Sequence, residues 1–162
     1  MCEPPPLQRL LLQHEEQLQR LRGEPQLLGN AIEEILRFCP AIRIVPRTAL
    51  KDIVLDGSLT VRAGETVLLE LFRANCDPKV FGDDADRFDI GRDRPERHLT
   101  FGHGVHMCAG HALGRSQIRA VLQQVLLQRP VGSVRPAWAD EPAWQHTYST
   151  LESLPLHLDP VS

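Results

Sequence analysis

Three glycines bracket one cysteine in Phe101-Gly102-His103-Gly104-Val105-His106-Met107-Cys108-Ala109-Gly110, and a strongly periodic stretch follows at once. No other segment constrains the chain as much. Glycine admits backbone conformations that a side chain forbids, and it lets the main chain approach a flat partner closely. The run after the cysteine puts Leu113, Ile118, Val121, Leu122, Val125 and Leu126 on one stripe and stops at Pro130, which predicts a helix over residues 111–129. A cysteine just before a helix start lies at the positive end of the helix dipole, which favours its thiolate form.

The rest of the chain reads as helices, then short strands, then a long connection. Leu7, Leu10, Leu11, Leu18 and Leu21 recur at helical spacing before Gly23-Glu24-Pro25, and Leu28, Ala31, Ile32, Ile35 and Leu36 form a second stripe before Pro40. Two helices are therefore predicted within residues 7–39. Residues 42–72 hold β-branched runs at Ile42 to Val45, Ile53 to Leu55, Leu59 to Val61 and Thr66 to Phe72, with Asp56-Gly57 as a hairpin turn. Residues 73–100 form a turn-rich meander, and residues 130–162 supply terminal strands. The predicted fold class is mixed α and β, mainly α, with small antiparallel hairpins.

Composition narrows the function classes. At 162 residues, 42% apolar and 24% charged, the chain suits one soluble domain, residues 1–162. A net charge of -3 spread along the chain points away from nucleic acid and from an anionic membrane. No signal-like N-terminus and no bilayer-length apolar run is present, so a cytoplasmic location is expected. Cysteines at 2, 39, 76 and 108 form no C-x-x-C pair, which predicts reduced thiols.

A thiolate is what haem iron requires from an axial cysteine. The chain resembles the cytochrome P-450 family of haem-thiolate monooxygenases, most closely its soluble bacterial members. Phe101, Gly102, Gly104, Cys108 and Gly110 match the F-x-x-G-x-x-x-C-x-G signature, Glu34 and Arg37 match E-x-x-R, and Arg87 in Ala85-Asp86-Arg87-Phe88 matches the meander arginine. The resemblance implies the C-terminal part of that fold, with meander, Cys loop and following helix. It implies haem b as cofactor, Cys108 as axial ligand to iron, and a buried triad of Glu34, Arg37 and Arg87. It also implies that Arg47, His98 and His106 hold the propionates, with Phe101 and Gly102 lining the haem. The family reaction inserts an oxygen atom from O2 into a small apolar substrate, with electrons from a ferredoxin- or flavin-type donor.

One departure matters. The family's oxygen-activating helix carries A-G-x-[DE]-T, which no segment before Glu34 matches, and Ala63-Gly64-Glu65-Thr66 lacks a residue and falls in a turn. The expectation is a truncated chain that is inactive alone, needing a separate N-terminal half, or a start called too late. Ala85 in place of the usual meander proline, Gly114 inside the helix at about 1 kcal/mol relative to Ala, and Gln117 fit a non-catalytic haem-binding remnant. Without the resemblance, His98, His103, His106, Cys108 and His111 are a candidate zinc set, because thiolate and imidazole both suit that ion.

Overall fold

The α3 helix, Leu28–Phe38, runs through the centre of the structure, a computed structural model that describes residues 10–137 and 156–159. Pro25 starts a 3-10 turn that leads into it, and the chain leaves helical geometry at Cys39, where the following Pro40 disfavours continuation. Leu28, Ala31, Ile32, Ile35, Leu36 and Phe38 are buried, and so are Glu34 and Arg37. A helix buried on nearly every side must satisfy those two charges internally.

The expected first helix is two. His14 leaves helical dihedrals between α1, Leu10–Gln13, and α2, Glu15–Gly23, and its ring lies 5.2 Å from that of Phe88. Leu10, Leu11, Leu18 and Leu21 still reach the core, so the predicted stripe holds across the break. The predicted start at Leu7 lies outside the described residues.

Strand β1, Ile44–Thr48, pairs antiparallel with β4, Thr66–Glu70, from Ile44 opposite Glu70 to Thr48 opposite Thr66. Between them β2, Ile53–Leu55, and β3, Leu59–Val61, form the expected hairpin. Asp56 and Gly57 both have positive φ, 49° and 72°, as a tight primed turn demands. The strand expected to reach Phe72 stops at Glu70. Leu71 N–H donates to the Arg43 carbonyl, and α4, Leu71–Asn75, then buries Phe72 and Asn75.

The meander contains α5, Pro78–Phe81, whose first turn is capped by the Asp77 carboxylate accepting from Lys79 N–H at 2.9 Å. After the cysteine, α6 spans His111–Val121 and widens into π-helical turns over Leu122–Leu127. The single α-helix expected to Arg129 is thus modified at its end. There Leu122 and Leu126 enter the core, and the Leu126 carbonyl accepts from Arg22 Nη2 at 2.6 Å. Strands β5, Val134–Pro136, and β6, Leu156–Leu158, pair antiparallel. The terminal hairpin expected around Glu152 to Leu156 lies outside the described residues apart from Leu156.

Candidate functional site

A buried polar hub ties α3 to the meander that precedes the cysteine loop. Arg37 grips Glu34 with two parallel bonds, Nε to Oε2 at 2.7 Å and Nη2 to Oε1 at 2.8 Å, and both side chains are fully buried. Its other N–H groups donate to the carbonyls of Asn75, Ala85 and Arg87 at 2.6, 2.8 and 3.0 Å. All five guanidinium donors are used, as burial of an arginine requires.

The second arginine on Glu34 is Arg92, which corrects the expectation for Arg87. Arg92 Nε donates to Glu34 Oε1 at 3.1 Å, and its remaining donors reach Asp84 and the carbonyls of Phe81, Asp84 and Arg87. Arg87 gives the hub its main-chain carbonyl only, while its side chain is exposed. Phe88, Ile90 and Arg92 are buried, whereas Arg87 is exposed, so Arg92 is the arginine that reaches Glu34. Asp84 makes the hub neutral by pairing with Arg92, whose hydrogen bond and charge hold the Asp84 carboxyl below the usual range. Ala85 contributes through its carbonyl, which any residue type could supply.

Asn75 extends the hub toward the cysteine loop. Its amide donates to the Arg37 carbonyl at 3.0 Å and to Thr100 Oγ1 at 3.1 Å, while its Oδ1 accepts from Leu99 N–H at 2.8 Å. Thr100 Oγ1 donates to the Leu36 carbonyl at 2.6 Å. The chain just before Phe101 is thereby tied to α3. No sequence signal pointed to Asn75, because its partners lie 24 to 38 residues away.

The loop itself is glycine-shaped. Gly102 and Gly104 have φ of +72° and +78°, and a 3-10 turn spans Gly104–His106. Cys108 N–H donates to the Phe101 carbonyl at 2.8 Å, and the Cys108 carbonyl accepts from His111 N–H as α6 begins. Cys108 carries a free, exposed thiol two residues before the Gly110 N-cap. Around it stand uncovered apolar side chains: Val105 is 97% exposed, Leu113 62% and Met107 46%. An exposed sulfur amid uncovered apolar groups fits a flat, largely apolar partner such as haem.

Of the expected propionate partners, Arg47 and His106 are exposed, and Arg47 Nη1 donates only to the neighbouring Pro46 carbonyl at 2.8 Å. His98 is turned inward. Its Nε2 lies 3.2 Å from Glu33 Oε2, and its Nδ1 accepts from Thr100 N–H at 3.2 Å, so both ring nitrogens are engaged. Glu33 also takes a two-point grip from Arg115, at 2.7 and 2.8 Å. Burial raises the Glu33 pKa, but hydrogen bonds from His98 and Arg115 outweigh it and hold the carboxyl at about 2.

The histidine and cysteine cluster does not assemble as a metal site. Among the described residues no three His, Cys, Asp or Glu side chains converge to hold a metal ion. His98 faces Glu33 and His111 Nδ1 faces Arg115, which separates them from the exposed Cys108. The Ala63 to Thr66 stretch turns at Ala63 and Gly64, with Gly64 at φ +88° and the Glu65 carboxylate accepting from Arg62 N–H at 2.8 Å, and enters β4 at Thr66.

Comparison with known proteins agrees with this geometry. Residues 7–129 match the family described as Cytochrome P450. The chain is 40% identical over 147 residues to the biotin biosynthesis cytochrome P450 of Bacillus subtilis (strain 168), covering 90% of this chain and 36% of that protein. It is also 40% identical over 120 residues to the steroid C26-monooxygenase of Mycolicibacterium smegmatis (strain ATCC 700084 / mc(2)155), covering 74% and 29%. A crystal structure of P450BioI in complex with hexadec-9Z-enoic acid ligated acyl carrier protein superposes with a TM-score of 0.78 at 40% identity, over 94% of this chain and 38% of that one. CYP109E1 from Bacillus megaterium in complex with testosterone gives a TM-score of 0.84 at 27% identity, over 95% and 42%. The chain spans about a third of the length of the curated relatives it matches.

Proposed function

Because this chain belongs to the cytochrome P450 family, we propose that it holds haem b through the Cys108 thiolate and contributes the ligand side of a monooxygenase site. The carrying observation is the exposed Cys108 thiol with exposed Val105, Met107 and Leu113 nearby in sequence, on a loop whose entry is tied to α3 through Asn75 and Thr100. When bound, the haem supplies binding and reductive activation of O2. The chain's own groups ligate, orient and exclude water. Arg47 and His106 are free to meet propionates, Phe101 and Gly102 form part of the haem-facing loop, and His98 serves the loop instead. Glu34, Arg37 and Arg92 brace the meander that precedes that loop.

The proposed substrate is a small apolar molecule, and the proposed electron donor is a ferredoxin- or flavin-type protein. The proposed partner that supplies the acid and alcohol for proton delivery is a separate N-terminal half. No helix among the described residues is long and apolar enough to cross a membrane, and a cytoplasmic location is proposed.

Parallel titrations of haem and zinc into the purified chain test the proposal. It predicts one equivalent of haem, with ligation lost in Cys108→Ala. Stoichiometric zinc without haem would overturn it.

A further inference from the structure

We propose that Arg115 is the positioning residue of the cysteine ligand: together with Glu33 it clamps the Phe101 ring, and through the Phe101 main chain it fixes the backbone of Cys108. The inference takes its functional meaning from Cys108 as haem ligand, yet the clamp itself is a property of the protein alone. Glu33 and Glu34 are adjacent on α3 but serve different structures. Glu34 faces the meander, and Glu33 faces the cysteine loop.

Arg115 Nε and Nη2 donate to the two Glu33 oxygens, at 2.7 and 2.8 Å. The same guanidinium carbon stands 4.8 Å from the Phe101 ring centroid. A planar fork can do both at once, and a lysine ammonium cannot. The ring also packs on Gly114, the neighbour of Arg115, and lies 3.4 to 3.5 Å from where a methyl group would stand, an ordinary contact distance. The Phe101 carbonyl in turn accepts the Cys108 N–H at 2.8 Å. From the far side His98 joins Glu33 and receives Thr100 N–H, so the segment entering Phe101 is tethered as well. The chain of contacts therefore runs from α3 to the ligand backbone without using the buried hub.

Hydrogen exchange of the Cys108 amide in the full chain without haem reads this hold directly. Arg115→Leu should speed that exchange about fivefold, the factor set by losing a partly exposed cation–π contact. The Cys39 amide, which donates to the Ile35 carbonyl at the end of α3, should keep its rate. Arg115→Lys keeps the charge and the fold but loses the flat face, and it should also speed Cys108 exchange. Unchanged Cys108 exchange in Arg115→Lys overturns the proposal, even if Arg115→Leu unfolds. In the haem-loaded chain, Arg115→Lys should displace the reduction potential, and the displacement should vanish in a Phe101→Leu background. A potential that does not move, or moves equally without the ring, also overturns it. Haem that binds equally to Cys108→Ala would sink the ligand assignment instead, leaving the exchange rates to decide the clamp.

Discussion

The buried hub and the cysteine loop are built on opposite terms. In the hub Glu34, Arg37 and Arg92 are buried, and every guanidinium donor of the two arginines meets an acceptor. On the loop Cys108 and the apolar groups near it in sequence are exposed. The contrast teaches that the hub's satisfied bonds fix the meander, and through Asn75 and Thr100 the chain entering Phe101. For the proposed ligand Cys108, such an anchored approach would limit reorganisation on binding.

Breaking the hub should have the largest effect. Arg37→Ala leaves Glu34 buried beside one arginine and is expected to cost about 3 to 5 kcal/mol, read as a lowered denaturant midpoint. Arg92→Ala should cost a comparable amount, whereas Arg87→Ala, which removes an exposed side chain, should stay within about 0.5 kcal/mol. Equal costs for Arg87 and Arg92 would refute the hub as described.

Glu33 stands outside the hub, and pH tests it separately. Its folded pKa of about 2 lies below its ordinary value of 4.5, so the unfolded chain binds more protons in that interval. Stability from the contacts with His98 and Arg115 is thus present above pH 4.5 and lost as pH falls toward 2. Glu33→Gln should flatten that part of a stability-against-pH curve, measured by chemical denaturation. The smallest expected effect lies at Gly114. A methyl there meets Phe101 at ordinary contact distance, so Gly114→Ala should raise stability by about 0.5 to 1 kcal/mol.

The same contrast explains what was legible in the sequence. Local patterns carried the α3 stripe, the Asp56-Gly57 hairpin and the glycine-shaped loop, because each rests on neighbours a few residues apart. Glu34 and Arg37, three apart on one helix, were found for that reason. Arg92 was missed in favour of Arg87, although its alternation with Phe88 and Ile90 was available as a signal. Arg115 and Glu33 are 82 residues apart, and no spacing within one element could join them. The break at His14 and the π-helical end of α6 coincide with contacts to Phe88 and Arg22, which periodicity does not contain.

The carbon monoxide spectrum of the reduced, haem-supplied chain reads ligation by Cys108 without an intermediate step. Thiolate ligation by Cys108 predicts a red-shifted Soret band, present in the parent and in Cys39→Ala and abolished in Cys108→Ala. Absence of that band from the parent chain, or its persistence in Cys108→Ala, would contradict it.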